Sequence, residues 1–220
     1  MDEVSQRSPS PLAALSLVQR WGGLASFVMP LAFIVGSLLY FSGNLRNPMG
    51  AFSYSVADFL YGPVWFASLL AAVSAVRERI GQSATRRMNL ALTIAVAAGA
   101  AMLAVALIRA ANRHYHIIHP ELHLEQNVFV LTSWTTLVAG VSAIGWHLLG
   151  WVMLLIGSAG WTSRLLPRAL CVVYCVAAAA ALFVYTQPDL EGMAALLFVM
   201  ASLWQGFVLW RAGPVAAPPG

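Results

Sequence analysis

An all-α, polytopic membrane protein built as a six-transmembrane-helix bundle is the fold that this sequence predicts, and three observations predict it. Hydrophobic residues fill 60% of the 220 positions and charged residues only 9%, against roughly a quarter charged in a soluble domain. The apolar residues gather into six long runs nearly free of charge, each of the ~18 or more residues that a helix needs to cross a hydrocarbon layer ~30 Å thick. Segments of about ten strictly alternating residues, the mark of a transmembrane strand, do not occur. This composition excludes a water-soluble enzyme. It also excludes a nucleic-acid partner, because the net charge of +4 comes from twelve basic residues scattered over short connections, with no patch or stripe.

A helix surrounded by lipid is apolar on every side, so length rather than period identifies each crossing. Residues 1–20 hold Asp2, Glu3 and Ser8-Pro9-Ser10-Pro11 and no compact basic cluster. The run behind them is too long for a signal-peptide core, so the first helix, Trp21 to Phe41, is expected to stay attached. In the connection Ser42 to Asp58, Asn44, Asn47-Pro48 and Gly50 mark a turn, and Phe52, Tyr54, Phe59, Tyr61 and Trp65 read as an aromatic belt at the membrane interface. The second helix is placed at Phe59 to Val76 and the third at Met88 to Ile108. After a long connection, 109–129, come the fourth at Val130 to Trp161, the fifth at Leu166 to Thr186 and the sixth at Met193 to Trp210. The third and fifth are rich in alanine (Ala95, Ala97, Ala98, Ala100, Ala101; Ala177 to Ala181). Small side chains let backbones approach closely in lipid, which predicts that these two occupy the middle of the bundle. Cys171 and Cys175, one turn apart on the fifth helix, read as small packing residues. The proline-rich segment 212–220 reads as a disordered tail.

Orientation follows from arginine, since all twelve basic residues are arginines. An N-terminus in the cytoplasm puts Arg7, Arg20, Arg77, Arg79, Arg86, Arg87, Arg164, Arg168 and Arg211 inside, and only Arg46, Arg109 and Arg113 outside. The positive-inside rule therefore predicts an inner (plasma) membrane protein with both termini cytoplasmic.

Four of the five histidines fall in one stretch, His114-Tyr115-His116-Ile117-Ile118-His119-Pro120-Glu121-Leu122-His123, followed by Glu125. A short helix opening at Pro120 would bring His119 and His123 to one side with His116 in reach. With a carboxylate from Glu121 or Glu125 they make a candidate site for a transition metal on the extracytoplasmic face. The spacing matches neither HExxH nor a paired CxxC motif. The alternative is an amphipathic interfacial segment, with Ile117, Ile118, Leu122 and Leu124 in lipid. Arg109 and Arg113 precede the cluster and are expected to hold Glu121, Glu125 or an anionic headgroup.

His147 lies inside the fourth helix, where an ionisable residue is by default a functional candidate. Counting about 1.5 Å per residue puts His147, Tyr174 and Gln205 at a common depth of roughly 20–28 Å, where they would form an intramembrane polar site. A groove of small residues (Gly140, Ala143, Gly150) flanks the imidazole, and as the lone intramembrane histidine it would leave a tetrapyrrole metal five-coordinate. The bland alternative is a set of satisfied polar groups that fix helix register.

The chain also resembles a bacterial polytopic membrane family known only as a domain of unknown function. The resemblance lies in Arg20-Trp21-Gly22-Gly23 at the start of the first helix, His147-Leu148-Leu149-Gly150, the Leu166-Pro167-Arg168 turn and Pro188-Asp189-Leu190-Glu191-Gly192. It implies a helical bundle of about six spans and carries no catalytic residues. With no nucleophile elbow, phosphate loop or dinucleotide fingerprint, the sequence favours a non-enzymatic accessory or small-ligand-binding subunit, with membrane lipid and other membrane-protein subunits as partners. The alternatives are an extracytoplasmic metalloenzyme or metal-handling protein using the histidine loop, and a transporter or proton relay through His147.

Overall fold

The structure, a computed structural model, describes residues 11–42, 48–118 and 124–211, with side chains described within 17–42, 52–115 and 132–211. Among them there is helix and turn and no strand. The elements are α1 (Pro11–Ser42), α2 (Pro48–Phe59), a π-helical segment (Leu60–Val64), α3 (Trp65–Ile80), a 3-10 turn (Gly81–Ala84), α4 (Thr85–Ile118), α5 (Leu124–Ser163), α6 (Arg168–Leu182) and α7 (Leu190–Arg211). Five stretches are long and apolar enough to cross a membrane: Leu17–Ser42, Phe52–Ile80, Thr85–Tyr115, Thr132–Ser163 and Leu190–Arg211. The chain is a membrane-embedded, all-helical protein. Its outward surface suits lipid contact, with Leu31, Leu38, Leu107, Leu196 and Phe207 exposed.

The fifth apolar run yields a helix of only 15 residues, roughly 22 Å long at helical rise. Pro167 stands just before its first residue, and residues 183–186 form turns that Pro188 prevents from returning to helix. Both long connections are mostly helical. Pro48 suits a first helical position, and α2 runs through the π segment into α3 without a break. Likewise α4 continues to Ile118 and α5 begins at Leu124. A charge such as Arg109 ends an apolar run, but it does not end a helix. The π segment contains Pro63, which lacks an N–H and crowds the preceding turn, and local widening accommodates it.

The helices form a ring: α1 packs on α3, α3 on α4, α4 on α5, α5 on α6, α6 on α7, and α7 returns to α1. No helix is central, which corrects the expectation for α4 and α6. Leu90, Val96 and Leu107 of α4 and Val172 and Val176 of α6 are exposed. Their alanines instead bring each close to its two ring neighbours, with Ala95, Ala98, Ala177, Ala178 and Ala181 fully buried. Glycine makes the closest approaches. A Cβ on Gly22 of α1 would lie 2.0 Å from that of Ala75 on α3, and one on Gly99 of α4 would lie 2.1 Å from the Phe66 ring.

Arg20, Arg77, Arg79, Arg86, Arg87, Arg164, Arg168 and Arg211 all sit at one end of the ring. There Arg79 Nε reaches the Leu165 carbonyl at 3.3 Å, and the Arg168 guanidinium lies over the Trp161 ring. Gly81 stops α3 at this end with φ of 61°, its N–H bonded to the Arg77 carbonyl. Five or six residues in from these arginines the ring interior is closed by a buried amide. Gln205 of α7 accepts a hydrogen bond from the Tyr174 hydroxyl of α6, and its Nε2 donates to Ser26 Oγ of α1 at 2.8 Å and the Ala72 carbonyl of α3 at 3.5 Å. Ser26 passes its own proton to the Gly22 carbonyl at 2.7 Å. One side chain thus ties four helices together.

Deleting that hub should cost more than trimming its rim. We expect Tyr174→Phe to lower stability by about 1 to 2 kcal/mol, since it removes one neutral hydrogen bond and the donor to the buried Gln205 Oε1. Gln205→Ala should cost about 2 to 3 kcal/mol, because it leaves a cavity and strands the tyrosine hydroxyl. Thermal unfolding in detergent, followed by tryptophan fluorescence, measures both, and a tyrosine variant as damaged as the glutamine variant would refute the hierarchy.

Candidate functional site

The far half of the ring is not closed, and the cause is the short α6. The Leu182 carbonyl is one of the last four of its helix, which have no intrahelical partner, and it accepts from Nδ1 of His147 at 3.1 Å. Beyond that level α6 is gone, and the far part of α5, including Gly140, faces open space. Two adjoining cavities result. The first, about 780 Å³, is lined by Phe33 and Ser37 of α1, Tyr61 and Trp65, Met102 and Arg109 of α4, Trp146 of α5 and Glu191, Gly192 and Ala195 of α7, and it opens outward past the exposed Phe41 and Leu196. The second, about 660 Å³, fills the gap above α6 between Trp134 to Ala143 of α5, Asn112 of α4 and the Val184-Tyr185 turn. Arg109, Ser142, Pro188 and Glu191 line both and mark where they meet.

Interlocking aromatic side chains line part of the first cavity. Phe33 meets the rings of Tyr61 and Trp146 edge to face, with centroids 5.5 and 6.4 Å apart, and Trp146 and Trp65 both lean on Phe198. The π segment aims Tyr61 inward, where its hydroxyl and Ser37 Oγ share a hydrogen bond. Each charge at the junction is held by an aromatic neighbour. Arg109 lies 5.0 Å over the Tyr40 ring and 5.7 Å from that of Tyr61, an arrangement favoured by the ring quadrupole. Glu191 Oε1 accepts from Trp146 Nε1 at 2.8 Å. Although both line both cavities, Arg109 and Glu191 do not close to an ion pair; among the described residues the one ion pair is Arg113–Asp58, at 2.6 Å. Apolar walls around separated opposite charges can hold an amphiphilic molecule.

Tyr174 and Gln205 meet, as counting depth along the helices suggests, but His147 is elsewhere. Its Nδ1–H bonds the Leu182 carbonyl, its Nε2 accepts from Trp151 Nε1 at 3.2 Å, and Tyr185 packs on its ring. Both ring nitrogens thus have hydrogen-bond partners in this arrangement. The groove beside it is divided: a Cβ on Gly150 would meet Leu182 at 3.0 Å, whereas Gly140 and Ala143 line the second cavity. Arg113 holds Asp58; the loop carboxylates Glu121 and Glu125 lie outside the described side chains. Of the proposed belt, Phe52 and Phe59 are exposed but Trp65 is buried, and Tyr61 faces the cavity. His119, Glu121 and His123 lie outside the described residues, as do the side chains of His116 and Glu125. Among the described residues no group of three His, Cys, Asp or Glu could hold a metal. Cys171 and Cys175 are free thiols, the first buried and the second exposed.

Trp146 and Glu191 are cavity residues that sequence reasoning passed over. The available signal was a glutamate in the first turn of the last helix. Comparison with protein-family models, curated proteins and solved structures finds no match for this chain.

The Arg113–Asp58 pair is the cavity's nearest structural brace, and Asp58 Oδ1 has no partner among the described residues. Arg113→Ala should therefore cost about 3 kcal/mol or more by stranding a buried carboxylate. Asp58→Asn added to it should recover part of the loss. A double-mutant cycle by thermal unfolding tests this, and strictly additive costs would count against the pair.

Proposed function

We propose that this chain is a six-span protein of the inner (plasma) membrane, with both termini cytoplasmic, that binds a small amphiphilic ligand in the half of the ring facing away from the cytoplasm. Its role on this reading is non-enzymatic, as a ligand-binding or accessory subunit. The observation that carries it is the pair of adjoining cavities, apolar along their walls and bearing Arg109 and Glu191 at their junction. A volume of about 780 Å³ falls within the range of small-molecule sites.

The orientation is supported by the gathering of described arginines at one end, with Arg109 and Arg113 at the other. A sixth span is supported by α6 rising from the arginine-rich end beside α5, and by the return of α7 along it to Arg211. The turn 183–189 completes the rise that the helix alone does not make. Reporters fused to the two termini should both read cytoplasmic, and termini on opposite faces would remove the sixth span.

The cavities can be filled without disturbing the fold. Gly192 borders the first and Gly140 the second, and a Cβ on either would meet nothing within 4 Å. Gly192→Leu and Gly140→Leu should keep or raise the melting temperature, since each also gains helix propensity. The double variant should bind a neutral dansyl-labelled undecanol at least about tenfold more weakly than the parent (about 1.4 kcal/mol). Equal binding by a folded double variant would sink the cavity as a ligand site.

A further inference from the structure

Resting on that reading of the cavity, we infer that its ligand is a zwitterion: its anionic group sits on Arg109, its ammonium sits on Glu191, and its apolar part lies along the first cavity. The argument begins with two opposite charges that line the same space yet form no ion pair. Opposite charges that share a cavity attract each other. Here each is restrained from behind: the guanidinium by the faces of Tyr40 and Tyr61, and the carboxylate by the indole N–H of Trp146. A molecule that carries both signs can meet both groups in the space they share. A purely anionic amphiphile would satisfy Arg109 but bring its charge against Glu191 and the nearby Asp189, which also lines the first cavity. A purely cationic one would do the reverse. A zwitterion makes both pairs at once.

Guanidinium forks suit phosphate or carboxylate oxygens, and carboxylates suit primary ammonium donors. The shared chemistry is thus a phosphate or carboxylate joined to a primary amine. It is found in the headgroup of an aminophospholipid and in a free hydrophobic amino acid or aminoalkyl phosphate. The gap above the short α6 gives a membrane lipid a lateral path to the junction, past Tyr185 and Gly140.

The test uses the full-length protein in lipid nanodiscs of neutral glycolipid, with binding read from tryptophan fluorescence, because Trp65 and Trp146 line the first cavity. Four amphiphiles of equal chain length are compared: lysophosphatidylethanolamine, alkyl phosphate, alkylamine and alkyl alcohol. Free phosphoethanolamine and free phenylalanine form two further arms. The expected result is that lysophosphatidylethanolamine binds at least about tenfold tighter than any of the other three amphiphiles. Arg109→Gln and Glu191→Gln should each erase that preference while retaining the parent's weak affinity for the alcohol, which also shows that the variants are folded. Trimethylation of the amine, as in lysophosphatidylcholine, should weaken binding by removing the N–H donors. Free phosphoethanolamine or phenylalanine binding as tightly as the lysolipid would make the source a soluble zwitterion; binding by the lysolipid alone would make it a lipid. Equal affinity for all four amphiphiles overturns the zwitterion but leaves the cavity a ligand site. Failure of every amphiphile to bind overturns both.

Discussion

Helices already in hydrocarbon gain nothing by hiding leucine from water, so this bundle depends on close backbone contact and on a few polar bonds that lipid cannot replace. Both devices meet near the arginine-rich end. Gly22 lets α1 touch α3 at Ala75, and four residues along the same helix Ser26 reaches Gln205. The amide spends its acceptor on Tyr174 and its donors on Ser26 and Ala72. A residue with one acceptor and one double donor is suited to joining helices around a ring in which none is central. Leucine in its place would fill the volume and leave the tyrosine hydroxyl without its acceptor.

Closing one half of the ring leaves the other half to be settled by length. The Leu182 carbonyl ends α6 on His147, while α5 and α4 run on past it. A ring of long helices with one short member must open where that member stops. The aromatic lining then keeps the opening from collapsing, since Phe33, Tyr61, Trp65, Trp146 and Phe198 support one another edge to face or tilted. The π segment contributes directly: by absorbing Pro63 it lets the helix continue, and it turns Tyr61 toward Ser37 and Arg109.

Most of the helical architecture was legible in the sequence, because apolar length is a direct consequence of bilayer thickness. The ends were not. Residues from Pro48 to Asp58 and beyond Arg109 were read as connections, yet the backbone there is helical, because it forms helix wherever its own hydrogen bonds can be made. That error also displaced His147. Depth counted from Val130 assumes that every apolar run starts at one plane, whereas α5 begins at Leu124 and rises beyond its neighbours. Tyr174 and Gln205 were placed at one level correctly because both lie about six residues from an arginine at the same end. The cavity itself could not be read from sequence, since it is made by what α6 lacks and by contacts between residues as distant as Trp146 and Glu191.

Two arginines one turn apart on α4 show how the far end divides its work. Arg113 reaches Asp58 on the neighbouring helix and is consumed by structure, with both side chains largely buried. Arg109, on the same face one turn nearer the ring interior, meets no carboxylate among the described residues and stacks instead on tyrosine. Cation–π contact holds a guanidinium in place while leaving its in-plane N–H donors directed outward. A second structural salt bridge would have used those donors and shut the junction between the cavities. The contrast between neighbouring, chemically identical side chains is therefore a contrast of partners, and among the described residues it leaves Arg109 stacked on tyrosine with its N–H donors open to a ligand.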